Sequence, residues 1–92
     1  MREVTNHIGV LFVHVFIPQS QSLKDKRMVI KSLKDKVRLK FNVSVAELDN
    51  LDKWQTSILG FSMIGNDNRH IDSTLHNVLS YLSDNPFMEV CD

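Results

Sequence analysis

The sequence predicts an α+β domain in which four antiparallel strands carry two helices on one face. Four segments have the alternating or β-branched pattern of strands, and two longer segments repeat apolar residues at helical spacing. These segments follow one another in the order β-α-β-β-α-β. A chain of 92 residues has the length of one domain, so we expect a single domain over residues 1–92.

The first strand is predicted from His7 to Ile17, and Pro18 ends it. Its residues alternate between two faces that are both mostly apolar, as in a central strand. We assign the wholly aliphatic face to the helices, and it comprises Leu11, Val13, Val15 and Ile17. The opposite face is expected to be open and carries Phe12, His14 and Phe16.

The first helix is predicted from Ser22 to about Phe41. Ser22 is a favourable N-cap residue, and Asp25 three positions later forms a weaker version of the capping box. The apolar residues recur at steps of three, four and seven, which places them on one side of the helix. They are Leu23, Ile30, Leu33, Val37 and Phe41.

The second half of the chain repeats the pattern of strands around a helix. Gly65, Asn66 and Asp67 supply turn and cap residues before the second helix, and Asn85-Pro86 ends it. The elements are predicted at Val43–Asp49, Trp54–Ile64, Asn68–Ser83 and Phe87–Cys91. The resulting order is that of the split βαβ, ferredoxin-like arrangement.

Composition excludes several classes of protein. The longest apolar run covers only residues 8–13, too short for a membrane span or a secretory signal. The single cysteine, Cys91, cannot form an internal disulfide. We therefore expect a cytoplasmic protein that does not bind membranes.

Charge is distributed very unevenly along the chain. Basic and acidic residues balance at 11 each, which excludes a uniformly basic protein. Residues 24–40, however, hold eight basic and two acidic residues, a net charge of +6. The remainder holds three basic and nine acidic residues, a net charge of −6, so the molecule is strongly polar.

The predicted first helix gathers part of this positive charge on one ridge. At about 100° per residue, five cations fall within a sector of about 80° beside the apolar stripe. They are Lys24, Arg27, Lys31, Lys34 and Arg38. Such a ridge suits a polyphosphate backbone, although a solvated helix face that keeps the protein soluble explains it as well.

The start of the same helix carries cations where the helix dipole is already positive. Lys24, Lys26 and Arg27 lie near the first turn, where a purely structural helix favours acidic residues. An anion bound by the free N–H groups, these cations and Ser22 would remove the conflict. The alternative is that Ser22 only caps the helix and that Asp25 offsets part of the repulsion.

The other polar groups give weaker signals. Glu47, Asp49 and Asp52 form an acidic group of the kind that binds Mg²⁺, but a solvated edge or a partner for the basic helix is the commoner role. Trp54 is suited to stacking on a base or to packing at the rim of the core. The histidine spacing and the absence of phosphate-binding or nucleophile motifs predict no metal, no cofactor and no catalytic residues.

The segment SLKDKR at residues 22–27 and several other segments resemble the YlxP-like family, small bacterial proteins grouped as a domain of unknown function. The resemblance runs from about Gly9 to Val90, and its most specific part is the SLKDKR segment, residues 22–27. Further matching segments are FNVSVAE at 41–47, Trp54-Gln55, Leu59-Gly60 and Asn66-Asp67. The resemblance implies a ferredoxin-like domain and a role near the ribosome, because genes of the family often lie beside translation factor genes.

We therefore expect a non-enzymatic RNA-binding module whose first helix contacts the phosphates of ribosomal RNA or a ribosomal subunit. The alternative is a protein-interaction or homodimer module that uses Phe12, His14 and Phe16 on the open sheet face. Phe12 and Phe16 depart from the more charged pattern of the family, so this second surface is expected to be particular to the chain.

Overall fold

The computed structural model describes residues 4–91 and has the predicted order of elements. Its elements are β1 (His7–Phe16), α1 (Leu23–Lys40), β2 (Ser44–Asp49), β3 (Thr56–Gly65), α2 (Asn68–Ser83) and β4 (Glu89–Val90). The predicted ends of α2 are confirmed. The bounds of two strands differ from the prediction. β3 begins two residues later than predicted, and β4 has only two residues because it pairs with Val15 and Phe16 alone.

The sheet has the strand order β2-β3-β1-β4, and every neighbouring pair is antiparallel. The two long strands, β1 and β3, pair along all ten of their residues and form its centre. The edge strand β2 contains an irregularity between Glu47 and Asp49, where its register on β3 shifts. An extra residue of this kind bends a strand and changes where its side chains point.

The core lies between the sheet and the two helices. Val13, Val15 and Ile17 are buried, whereas Phe12 is 64% exposed, so the predicted assignment of the β1 faces is confirmed. Both helices contribute to the same cluster, and their buried apolar residues are Ile30, Leu33, Val37, Ile71, Leu75, Val78 and Leu82. Burial of these aliphatic side chains, at about 25 cal/mol per Å² of apolar surface, holds the helices to one face of the sheet.

Side-chain caps fix where both helices begin. The Ser22 hydroxyl accepts a hydrogen bond from the Asp25 N–H at 3.0 Å, which confirms its predicted role as N-cap. The Asp67 carboxylate accepts one from the Arg69 N–H at 2.9 Å at the start of α2. Within residues 4–91, neither helix has the length and apolar composition that a membrane crossing requires.

Gly9 allows β1 to approach α2 closely. A Cβ at this position would collide with the Ile71 Cγ2 and lie 2.9 Å from the Leu75 Cδ1. Both atoms belong to buried side chains, so they cannot move away without disturbing the core. Gly65 faces the same Ile71, but a Cβ there would make an ordinary contact at 3.5 Å.

We expect Gly9→Ala to lower the free energy of unfolding by about 1–3 kcal/mol, because the added methyl overpacks the contact between β1 and α2. Gly65→Ala is the matched control and should change it by less than about 0.5 kcal/mol. Chemical denaturation of the two variants measures both effects. Equal stabilities would mean that α2 does not pack against Gly9 as closely as described.

Candidate functional site

Lys26 is buried and does not belong to an anion-binding surface. Its side chain has no exposed area, and its Nζ lies 2.8 Å from the Glu47 Oε2. The Nζ also donates hydrogen bonds to the Asn50 carbonyl at 2.6 Å and to the Thr56 carbonyl at 3.2 Å. These three acceptors match the three N–H bonds of an ammonium group. The prediction that Lys26 contacts an external anion is therefore wrong.

The helical spacing explains why Lys26 turns inward. At about 100° per residue, it falls between Leu33 and Val37 around the axis of α1, in the middle of the apolar stripe. Glu47 follows Val45 by two residues on β2 and so shares its buried face. The sequence already contained this information. Lys26 and Glu47 each lie at a position that the spacing assigns to the core, and a buried charge needs a partner of opposite charge.

The start of α1 is already occupied by its own side chains. The Asp25 carboxylate accepts a hydrogen bond from the Gln21 N–H at 3.1 Å, and the Ser22 hydroxyl accepts one from the Asp25 N–H. The Ser20 hydroxyl donates to the Ser22 carbonyl at 3.1 Å. Asp25 therefore supplies the negative charge that the helix dipole favours, and the cluster predicted around Ser22, Lys24 and Lys26 does not form.

Four cations farther along α1 come together at the edge of the sheet. Arg27, Lys31, Lys34 and Arg38 line an open groove of about 360 Å³ between α1 and β2, which we call the basic groove. Lys31 and Arg38 have side chains that are 80% and 50% exposed. Lys24 is exposed on the same ridge but does not line the groove.

The carboxylates of the basic groove are engaged by neighbouring cations. Asp35 lies 3.7 Å from the Lys31 Nζ and 3.8 Å from the Arg38 Nη1, in exposed pairs that contribute little to stability. The Glu47 carboxylate binds Lys26 and accepts a hydrogen bond from the Ser57 hydroxyl at 2.6 Å. The groove therefore presents four cations against two carboxylates that already have partners.

Arg38 also covers part of the free edge of β2. Its Nη2 donates a hydrogen bond to the Val45 carbonyl at 3.3 Å. Because β2 is an edge strand, this carbonyl has no neighbouring strand to bind it. The contact fixes the far end of the basic groove against the sheet.

The other polar residues singled out in the sequence are dispersed. Within residues 4–91, no three His, Cys, Asp or Glu side chains converge in a way that could hold a metal ion. The Asp49 carboxylate accepts a hydrogen bond from the Asn50 N–H at 2.8 Å, and Asp52 is exposed. Trp54 is 49% exposed and lies in the segment between β2 and β3.

The open face of the sheet carries exposed apolar side chains, but they are centred away from the predicted site. Phe12 is well exposed, whereas His14 and Phe16 are half-buried, and the His14 Nε2 has no hydrogen-bond partner among residues 4–91. The exposed area continues toward the other end of β1 and onto β2 and β3. Its further members are Ile8, Val10, Leu48 and Ile64.

These features define a small α+β domain with a basic groove beside one edge of its sheet and an apolar open sheet face. Residues 8–92 match the family described as a protein of unknown function, DUF503, and the chain belongs to that family. It is similar to the uncharacterized protein YlxP of Bacillus subtilis (strain 168), with 32% identity over 82 residues that cover 89% of each chain. The resemblance to the YlxP-like family is thereby confirmed.

The pair of Lys26 and Glu47 is expected to contribute strongly to stability. Lys26→Met should lower the free energy of unfolding by about 3–5 kcal/mol, because it leaves the largely buried Glu47 carboxylate without its counter-ion. Lys24→Met is the control on the exposed side of the same turn and should change it by less than about 0.5 kcal/mol. Urea unfolding of both variants gives the comparison.

The double variant Lys26→Met/Glu47→Leu tests whether the two charges interact directly. We expect its loss of stability to be smaller than the sum of the two single losses by about 0.5–3 kcal/mol, because no charge remains unpaired. Part of the loss should persist, since the Asn50 and Thr56 carbonyls still lack their donor. Strictly additive losses would contradict a direct interaction.

Proposed function

We propose that this protein is a non-enzymatic RNA-binding module that contacts phosphates through the basic groove. The observation that carries the proposal is the convergence of Arg27, Lys31, Lys34 and Arg38 in one open groove. Cations at this spacing lower the free energy of a bound polyphosphate and release its condensed counterions. Arginine adds a planar fork that binds a phosphate through two hydrogen bonds.

The length of the basic groove favours a chain of phosphates over a single anion. Arg27 and Arg38 are 11 positions apart, which corresponds to about 16 Å along α1 at 1.5 Å per residue. One phosphate contacts only one or two of these side chains, whereas a nucleic acid backbone contacts several. Double-stranded DNA carries about one negative charge per 1.7 Å of helix axis, and structured RNA likewise has one phosphate per nucleotide, so it supplies enough charge.

Selectivity among RNAs must come from outside the basic groove. Contacts to phosphates position a protein but carry little sequence information. Trp54, half-exposed between β2 and β3, supplies an aromatic ring on which an unpaired base would stack. Because the residues outside 24–40 carry a net charge of −6, they repel RNA and favour one orientation of the domain.

The partner we propose is ribosomal RNA or a ribosomal subunit, which would place the protein in the cytoplasm. The resemblance to the YlxP-like family supports this choice through the neighbourhood of its genes. Sedimentation of a cell extract on a density gradient tests it. We expect the protein to run with a ribosomal subunit at low salt and to leave it at high salt, as phosphate contacts require.

We also propose that the fold is ferredoxin-like. The strand order β2-β3-β1-β4, with both helices contributing to one core, supports this grouping. An experimental structure with a different strand order would contradict it.

Neutralising the basic groove should weaken RNA binding without unfolding the protein. For Arg27→Gln/Lys31→Gln/Lys34→Gln we expect the salt slope of binding to fall by about 2–3, since each lost phosphate contact lowers it by about 0.7–0.9. Thermal stability should hardly change, because the exposed pair of Lys31 with Asp35 contributes little. Titrations at several salt concentrations measure the slope.

A control with the same loss of charge distinguishes the basic groove from bulk electrostatics. Lys36→Gln/Lys40→Gln/Lys53→Gln also removes three cations, but none of these residues lines the groove. This variant should keep most of the affinity and most of the salt slope. If both triple variants lose affinity equally, the groove is not the RNA site.

Arg27→Glu should move stability and binding in opposite directions. A carboxylate near the start of α1 interacts favourably with the helix dipole, so stability should stay equal or rise by at most about 1 kcal/mol. The same carboxylate repels phosphate in the basic groove, so RNA binding should weaken. A thermal melt and a binding titration on one variant give both quantities.

Lys36→Glu is the matched control for Arg27→Glu, because it makes the same change of charge on an exposed position of α1 outside the basic groove. Its effect on RNA binding should be clearly smaller. A loss of more than about 2 kcal/mol of stability for Arg27→Glu, well beyond the dipole effect, with binding unchanged would make Arg27 a structural residue.

A further inference from the structure

The outer side of β1 is paired with β4 over only part of its length. On the inner side, β3 pairs with all ten residues of β1, whereas β4 pairs with Val15 and Phe16 alone. The Cys91 N–H then donates a hydrogen bond to the His14 carbonyl at 2.8 Å. Among residues 4–91, no strand pairs with the outer side of β1 before His14. The first half of β1 therefore has a free edge, although β4 covers the second half.

Two hydrogen bonds show which backbone groups point to this free edge. The N–H and C=O of one residue point to the same side of an antiparallel strand, and the side alternates from one residue to the next. The Ile17 N–H donates to the Gln55 carbonyl beside β3 at 2.7 Å, so odd positions face β3, whereas the His14 carbonyl faces β4. The even positions before His14 therefore have their N–H and C=O on the free edge. They are Ile8, Val10 and Phe12, all more than half exposed, and we call residues 8–12 the β1 edge.

Helix α2 leaves the β1 edge uncovered. Near its start, the Ile71 side chain lies against both Gly9 on β1 and Gly65 on β3, since a Cβ at either position would touch it. The start of α2 therefore lies above the space between the two strands and not beyond β1. Farther along α2, the Tyr81 ring packs edge to face on Phe41 at the end of α1. Helix α1 thus lies on the side of α2 that faces away from the β1 edge.

The two free edges of the sheet differ in their protection against pairing with another strand. The edge of β2 has an irregular register, the inward-pointing charge of Glu47 and a carbonyl that Arg38 covers. Irregularities and charges of this kind prevent edge-to-edge association. Residues 8–12 of β1, in contrast, are all apolar, contain no proline and pair with β3 in an unbroken register. An unprotected edge of this kind is a template for another strand.

We infer that the β1 edge pairs with the same edge of a second copy of the chain. A two-fold axis perpendicular to the sheet makes the two β1 strands antiparallel, as an isologous dimer requires. The register that places Val10 opposite its own counterpart places Ile8 of each copy opposite Phe12 of the other. This register satisfies the free N–H and C=O groups of all three residues at once. It also forms cross-strand pairs of β-branched and aromatic side chains, which stabilise a sheet.

The neighbouring elements leave room for this pairing. Because β1 begins at His7, the second copy's strand stops before the position at which Cys91 pairs with His14. Neighbouring strands lie about 4.8 Å apart, and the start of α2 lies above the space between β1 and β3, so the two α2 helices come to about 10 Å from each other. Packed helices are about 8–10 Å apart, so the helices meet without a clash.

A second copy fits the β1 edge better than an extended peptide of another protein. Domains that add a peptide strand select it through pockets for its alternate side chains. The depression lined by Val10 and Phe12 lies toward β3 and β2, where a strand added beyond β1 does not reach it. The basic groove lies at the opposite edge of the sheet, beside β2. The dimer is thus independent of the proposed RNA binding, and either can fail alone.

A charge at position 10 tests the inference, because this residue lies opposite its own counterpart. In sedimentation velocity of the whole chain, we expect wild type to approach about 21 kDa at high concentration, twice its 10.6 kDa. Val10→Lys and Val10→Glu should each weaken association by at least about tenfold through like-charge repulsion, and an equimolar mixture of the two should associate again. Ser44→Lys is the control and should dimerise like wild type, since it adds a charge at an exposed position of the opposite edge strand.

Amide hydrogen exchange locates the contact in wild type and needs no variant to fold. The amides of Ile8, Val10 and Phe12 should gain protection by at least about tenfold as the dimer forms. The amides of Gly9 and Leu11 bind β3 by the alternation of the strand, so they should be protected at every concentration.

Circular dichroism shows whether each variant is folded. Wild type that stays monomeric up to about 1 mM overturns the inference, whether or not an extended peptide binds its edge. A dimer in which the amides of Ile8, Val10 and Phe12 exchange freely overturns it as well. So does association that folded Val10→Lys and Val10→Glu leave intact, that their mixture does not restore, or that Ser44→Lys weakens equally.

Discussion

The buried ion pair of Lys26 and Glu47 joins three parts of the molecule. Lys26 belongs to α1, Glu47 to β2, and the Asn50 and Thr56 carbonyls to the segment that leads from β2 into the first residue of β3. Asn50 has a positive φ of 61°, a conformation that asparagine tolerates better than most residues. A single ammonium group therefore sets the position of the edge strand, of its turn and of the helix above it.

This pair also decides which charges of α1 are available to a partner. Lys26 points into the core, while Arg27 one position later points outward into the basic groove. Since Glu47 is engaged by Lys26 and Ser57, its carboxylate opposes the cations of the groove less than a free one would. The interaction that holds β2 against α1 thus also shapes the positive surface between them.

The edge strand β2 contributes different groups to the two faces of the sheet. Toward α1, β2 contributes Glu47 and the Val45 carbonyl, which accepts a hydrogen bond from Arg38. Toward the open face, it contributes small residues and Leu48, displaced by the irregularity in the strand. The sheet separates the basic groove from the open face, so the two are distinct surfaces of the domain.

Local patterns in the sequence determined the order of elements, the faces of β1 and the cap at Ser22, because alternation, helical spacing and capping act between near neighbours. The concentration of positive charge on α1 could also be predicted from the sequence. Tertiary structure alone decided which cations meet in the basic groove and how Leu48 comes to lie over Gly60, since both depend on the position of β2 against β3 and under α1. Lys26 lies between the two cases: its position in the apolar stripe predicts burial, but only the fold brings Glu47 to within 2.8 Å of its Nζ and so makes that burial stable.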